Sequence, residues 1–186
     1  MPTTAMNPAA SIFPPSSGVP LFKPGAVDKY FQRYQSFGYN PSSETSVLKT
    51  FKRLAISQGW SEGRRREEKG KFQTAVDVEF TERVGSGFAL EDWQRLAKVI
   101  GIEPLPGSIT QCRKMIEKEN INIYHILHAY RRATEVMSIE DVEACKGITR
   151  FRNVAELKRY TQKHKMYYRK EYAKGSVLKG LLRRLK

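Results

Sequence analysis

Between Ser61 and Gly85, four apolar residues, Phe72, Val76, Phe80 and Val84, recur at strict i, i+4 spacing. A strand places alternate residues on one face, whereas a helix of 3.6 residues per turn returns every fourth residue to the same side, so this spacing calls for a long helix with one buried stripe. Ser61 opens it and Gly85-Ser86-Gly87 closes it, with Lys71, Asp77, Glu79 and Glu82 expected largely on the wet side.

The same period recurs on both flanks. Val27, Tyr30, Phe31 and Tyr34 form a first stripe that stops at the Phe37-Gly38-Tyr39-Asn40-Pro41 turn. Ser42 or Ser43 is the expected cap of a helix carrying Val47, Leu48, Phe51, Leu54 and Ala55. The best-defined helix carries Leu90, Trp93, Leu96, Ala97 and Ile100; Glu91 and Asp92 sit near its start, and Gly101 is its left-handed stop. Ser108 caps a segment with Ile109, Cys112, Met115 and Ile116, which Asn120 breaks. Ile123, Ile126, Leu127 and Tyr130 continue the pattern to about Val136, and Ser138 to Cys145 reads as a short helix. Asn153 with Glu156 has capping-box spacing ahead of Leu157 and Tyr160, and Ser176 precedes Val177, Leu178, Leu181, Leu182 and Leu185.

No strand-like alternation of any length and no internal repeat interrupts this pattern. The expected fold is all-α, a single compact domain of about six to eight helices by period counting. Residues 1–24 are rich in Pro and Ser and read as a disordered arm, residues 25–145 as the helical body, and residues 146–186 as a basic helical segment docked on it. A chain of 186 residues with 40% hydrophobic content can bury one real core. Cys112 and Cys145 make no disulfide framework, which fits a reducing compartment. The first residues lack the marks of a secretory signal or transit peptide, and no apolar run approaches the ~20 residues of a membrane span. The expectation is a soluble, intracellular protein.

Charge is segregated. Residues 146–186 hold 14 Lys or Arg against two acids, Glu156 and Glu171, so the 145 residues before them contribute only +2 of the net +14. Such asymmetry points to a polyanionic partner. Tyr160, Tyr167, Tyr168, Tyr172 and Phe151 are interleaved with the cations and offer faces for stacking. Nucleic acid, DNA or RNA, is therefore the expected partner. Arg150, Arg152, Arg159, Lys163, Lys165, Arg169, Lys170, Arg183 and Arg184 are the expected phosphate contacts, with Tyr167 and Tyr168 as stacking residues. Lys158-Arg159, separated by nine residues from Arg169-Lys170, form with them a loose bipartite import pattern, so the nucleus is the expected compartment and the cytoplasm the alternative. The competing reading is a protein-interaction module whose last helix lays Leu178, Leu181, Leu182 and Leu185 into a groove on an acidic protein partner. A membrane surface is not the expected partner, because a helix of about eleven residues buries little apolar area.

The run Phe88 to Ile116, together with Tyr39-Asn40-Pro41, Gly59-Trp60, Trp93-x-x-Leu96 and Pro104-x-Pro106-x-x-Ile109-x-x-Cys112, resembles a family of small fungal proteins without assigned activity. The resemblance spans residues 28 to 128 and implies a shared fold and a eukaryotic, fungal source. It supplies no catalytic residue. Trp93 to Thr110 also looks like the central helix and Ser-Ile-Thr corner of an AT-rich-interaction DNA-binding domain. There, Gly85-Ser86-Gly87 gives only half of the expected glycine loop and the flanking helices do not match.

No phosphate-binding glycine loop, dinucleotide fingerprint or nucleophile elbow occurs, and the expectation is a binding protein that is not an enzyme and needs no cofactor. His125 and His128 at i, i+3 could share a metal only if Cys112 or a carboxylate completed the site, so no metal is expected. Arg64, Arg65 and Arg66 are followed by Glu67 and Glu68, and ion pairs along one helix account for them.

Overall fold

The computed structural model describes residues 24–41, 46–133, 148–173 and 176–182. These form eight α-helices: α1 (Ala26–Gln32), α2 (Val47–Ser57), α3 (Glu62–Val84), α4 (Leu90–Ile100), α5 (Ile109–Lys118), α6 (Ile123–Ala133), α7 (Val154–His164) and α8 (Ser176–Leu181). Short 3-10 turns span Gln35–Phe37 and Lys170–Tyr172. Among the described residues there is no strand, only an isolated antiparallel bridge between Ile121 and Arg150. The fold is all-α. The N-terminal arm, the expected helix from Ser138 to Cys145, and Ser42, Ser43, Arg183, Arg184 and Leu185 lie outside the described residues.

α3 is the strut on which α1, α2, α4, α8 and the Lys170–Tyr172 turn all pack. The Ser61 hydroxyl accepts the Arg64 N–H at 3.3 Å to start it, and Gly85, at φ 108°, ends it. Phe72, Val76, Phe80 and Val84 are all buried. Phe72 stacks on Phe51 with centroids 5.0 Å apart, and Tyr30 meets it edge-on at 5.6 Å. Burying side chains of this size contributes roughly 1.5–3 kcal/mol each, which makes the stripe the anchor of the core.

The wet side of α3 is smaller than the sequence suggests. Asp77 and Glu79 are buried, contrary to expectation, and so is Glu68. Glu68 lies four residues before Phe72 and extends the i, i+4 stripe by one turn, while Glu79 lies seven after Phe72 and faces the same way. Glu68 and Glu79 survive burial because both are hydrogen-bonded and ion-paired. Glu68 accepts from the Tyr34 hydroxyl at 2.6 Å and pairs with Lys71 and Arg64, both at 2.9 Å. Glu79 accepts from the Val27 N–H at 2.8 Å, Arg83 at 2.9 Å and Arg131 at 2.7 Å. Arg131 reaches from α6 to Asp28 of α1 as well, at 2.6 Å, where the Tyr39 hydroxyl also donates at 2.6 Å. One guanidinium thus fastens three helices. The Arg64 to Arg66 run is accounted for locally, with Arg64 on Glu67 and Glu68 and Arg66 on Glu62.

The remaining helices start and stop largely where their caps dictate. Ser46, not Ser42 or Ser43, caps α2, accepting from the Lys49 N–H at 3.4 Å. Gly101 is left-handed after α4, and Ser108 caps α5. Trp93 is buried with its indole N–H on the Gly87 carbonyl at 2.9 Å, which binds the glycine loop to α4. No helix of the described residues is long and apolar enough to cross a membrane.

Candidate nucleic-acid interface

α7 begins at Asn153, whose side chain accepts the Glu156 N–H at 2.9 Å. Glu156, the one acid of the helix, turns back onto the Arg152 N–H at 2.9 Å. Leu157 and Thr161 point inward and are buried, which leaves Lys158, Arg159 and Lys163 exposed on the other side. The helix ends at Lys165, at φ 53°, the single non-glycine residue with positive φ among those described. That conformation costs roughly 1–2 kcal/mol for an ordinary side chain, so the surroundings must impose it. Asn122 does much of this. Its amide donates to the Thr161 hydroxyl at 3.0 Å and the Met166 carbonyl at 3.3 Å, while its oxygen accepts the Tyr124 N–H at 3.0 Å at the start of α6.

Arg152, Arg159, Lys163, Lys165 and Lys170 are exposed, and none forms an ion pair with a described carboxylate. Arg169 is exposed too, resting on Glu171 at 3.1 Å, a pair open enough to be worth little. Arg150 departs from expectation: its guanidinium bridges Glu119 at 2.8 Å and the Ile100 carbonyl at the end of α4, so it serves as a tether between segments. Tyr167 is exposed, as a stacking residue must be. Tyr168 is not, being buried with its hydroxyl donating to the Gln73 carbonyl of α3 at 2.7 Å, and burial together with the Asp77 and Tyr124 charges raises its pKa. The alternative reading also loses ground. Leu178 and Leu182 are buried in the chain's own core and Leu181 packs against it, so these three leucines offer no free face to a partner groove.

Three cations that the sequence reading overlooked join this surface. Lys52 of α2 donates to the His164 carbonyl at the end of α7, at 3.5 Å. Lys69 of α3 has its pKa lowered, by burial first and then by the nearby charges of Arg169 and Lys52. Lys49 lies one turn before Lys52 and, like it, is exposed. Positions 49, 52, 69 and 169 are remote along the chain, and no charge run announces them. Spacing on α2 alone was the available signal: Lys49, Lys52 and Arg53 sit at i, i+3, i+4 opposite the apolar stripe.

Between α2, α6 and α7 lies a cleft of about 390 Å³, walled by Lys49, Lys52, Tyr160 and all three histidines of the chain, His125, His128 and His164. Among the described residues its lining includes no carboxylate. Tyr160 is fixed there by its hydroxyl against His125 Nε2 at 3.2 Å and by ring contacts with His164 at 4.3 Å and Phe151 at 4.7 Å. Cys112, the cysteine among the described residues, is elsewhere, buried on α5 with its Sγ toward the Pro106 carbonyl and away from the histidines. Among the described residues, no group of three or more His, Cys, Asp or Glu is disposed to hold a metal ion. No protein-family model, curated protein or solved structure matches the chain.

Proposed function

We propose that this protein binds nucleic acid through the cationic face formed by α7, the loop after it and the adjoining ends of α2 and α3. The observation that carries the reading is that cations from three separate segments, Lys52 of α2, Lys69 of α3 and Arg169 of the loop after α7, lie close enough to feel one another's charge, their one ion pair among the described residues being the exposed Arg169–Glu171 contact. A surface under such mutual repulsion is relieved by an external polyanion, and the counterions it releases make binding steeply salt-dependent. Arg152, Arg159, Lys163, Lys165 and Lys170 are assigned to phosphates, and Tyr167 to an unstacked base. The bipartite spacing of Lys158-Arg159 and Arg169-Lys170 supports work in the nucleus.

The test is titration of the full chain with generic duplex DNA and single-stranded RNA at several salt concentrations. Deleting residues 146–186 is not a clean control, because Leu157, Tyr168 and Leu178 belong to the core. Arg159→Ala/Lys163→Ala is preferable, with Lys114→Ala/Lys118→Ala on α5 as a charge-matched control. The first pair should lower affinity on either polymer and flatten the log–log salt slope by about 1.4–1.8, which is two phosphate contacts. The control should change it far less. Absence of salt-dependent binding at low ionic strength would overturn the proposal and turn the search to an acidic protein on the same face.

A further inference from the structure

The cleft between α2, α6 and α7 differs from the open face beside it. It is concave, and at about 390 Å³ it falls within the range of roughly 300–1,000 Å³ typical of small-molecule sites. Inorganic phosphate would leave most of it empty. Its walls divide by chemistry: Lys49 and Lys52 bring positive charge from α2, and Ser46 and Thr149 bring hydroxyl groups. To the same lining α7 supplies the rings of Tyr160 and His164, packed on each other at 4.3 Å and tilted by 38°. Tyr160 is in turn held by His125 and Phe151. An aromatic pair, two ammonium groups and no carboxylate among the described lining residues are the complement of a planar heterocycle that carries a phosphate.

We infer that this cleft binds a nucleoside phosphomonoester, the phosphate on Lys49 and Lys52 and the base against Tyr160 and His164. Lys69 and Arg169 lie outside the cleft lining, but the charges of Arg169 and Lys52 help, after burial, to lower the Lys69 pKa, so the positive charge at Lys52 is reinforced from a neighbouring element. The Lys52 contact to the His164 carbonyl keeps that ammonium beside α7. The ligand can be a free nucleotide or the phosphorylated end of a strand. In the second case the inference rests on the nucleic-acid reading above, and in the first it does not.

The experiment is calorimetric titration of the full chain with AMP, with adenosine and inorganic phosphate as the two halves of the ligand. AMP should bind at least tenfold more tightly than either half. Lys49→Ala/Lys52→Ala should weaken it tenfold or more, and His164→Ala should weaken it several-fold, with thermal melts kept close to the parent. Lys114→Ala/Lys118→Ala, which removes the same charge from α5, should bind AMP within twofold of the parent. AMP no tighter than phosphate, or indifference to the Lys49/Lys52 substitutions, would overturn the inference. A parallel titration separates the two sources: an oligonucleotide with a phosphorylated end that outcompetes its hydroxyl-ended twin assigns the site to strand ends, and equal affinity of the two assigns it to free nucleotide. AMP binding without any polynucleotide binding would sink the surface reading alone; polynucleotide binding without AMP binding would sink this one alone.

Discussion

At the junction of α1, α3 and α6, Arg131 lies between Asp28 and Glu79 with both carboxylates fully buried, and Tyr39 and Arg83 complete their hydrogen bonds. Beside α7, Lys52 of α2, Lys69 of α3 and Arg169 lie close together, and their one ion pair among the described residues is the exposed Arg169–Glu171 contact. The first group of charges is closed on itself, and removing one member strands the others. The second is open, and removing one member relieves its neighbours. Charge that is internally satisfied serves the fold; charge left in excess at the surface is available to a ligand.

Arg131→Met is the severest test of that contrast. It leaves two buried carboxylates short of their shared partner and should cost about 3–5 kcal/mol in urea unfolding. A loss under 1 kcal/mol would mean the network is dispensable and the contrast empty. Asn122→Ala comes next. It removes the cap of α6 and both donors to the end of α7, for an expected loss of about 2 kcal/mol, and it should weaken AMP binding because the cleft is walled by those two helices. Intact AMP affinity in this variant would show that the walls do not depend on the clamp.

Lys69→Met is the mildest and has the opposite sign: unfolding free energy at neutral pH should rise, by less than about 0.5 kcal/mol, while polynucleotide affinity falls. The pH dependence sharpens it. A lysine whose pKa is lowered on folding is penalised while it stays protonated, so the penalty is present at neutral pH. It fades as pH climbs through the depressed value toward the ordinary lysine range near ~10.4, so the gap between parent and Lys69→Met should narrow over that alkaline window. A gap that is constant with pH would assign the gain to packing.

Much of the helical frame is legible in the sequence because caps and apolar period agree, as at Ser61 to Gly85 and Leu90 to Gly101. Burial of Glu68 and Glu79 is harder to read, since a charged residue is assigned to the wet side by type even when its position continues the stripe. Tyr167 and Tyr168 show another limit. They lie in an irregular segment with no period, and a hydrogen bond to Gln73 of α3 decides which of them is inside. The cleft is the least legible part, because its walls come from residues near 50, 125 and 160 and exist only once three helices have docked.

The bond from Tyr168 to Gln73 joins positions 95 apart along the chain, and its neighbour from Gln73 to the Tyr167 carbonyl spans 94. Closing a loop of that size carries an entropic penalty of about 4 kcal/mol from the logarithmic length dependence, well above that of the local turns among α3, α4 and α5. The segment carrying α7 is therefore joined to the body by long-range anchors, and local opening there, ahead of global unfolding, is the expected outcome. On the proposed reading, affinity for an anion would follow the fraction of molecules in which that segment is latched. Hydrogen exchange along residues 154–164 would read the same equilibrium as a binding curve.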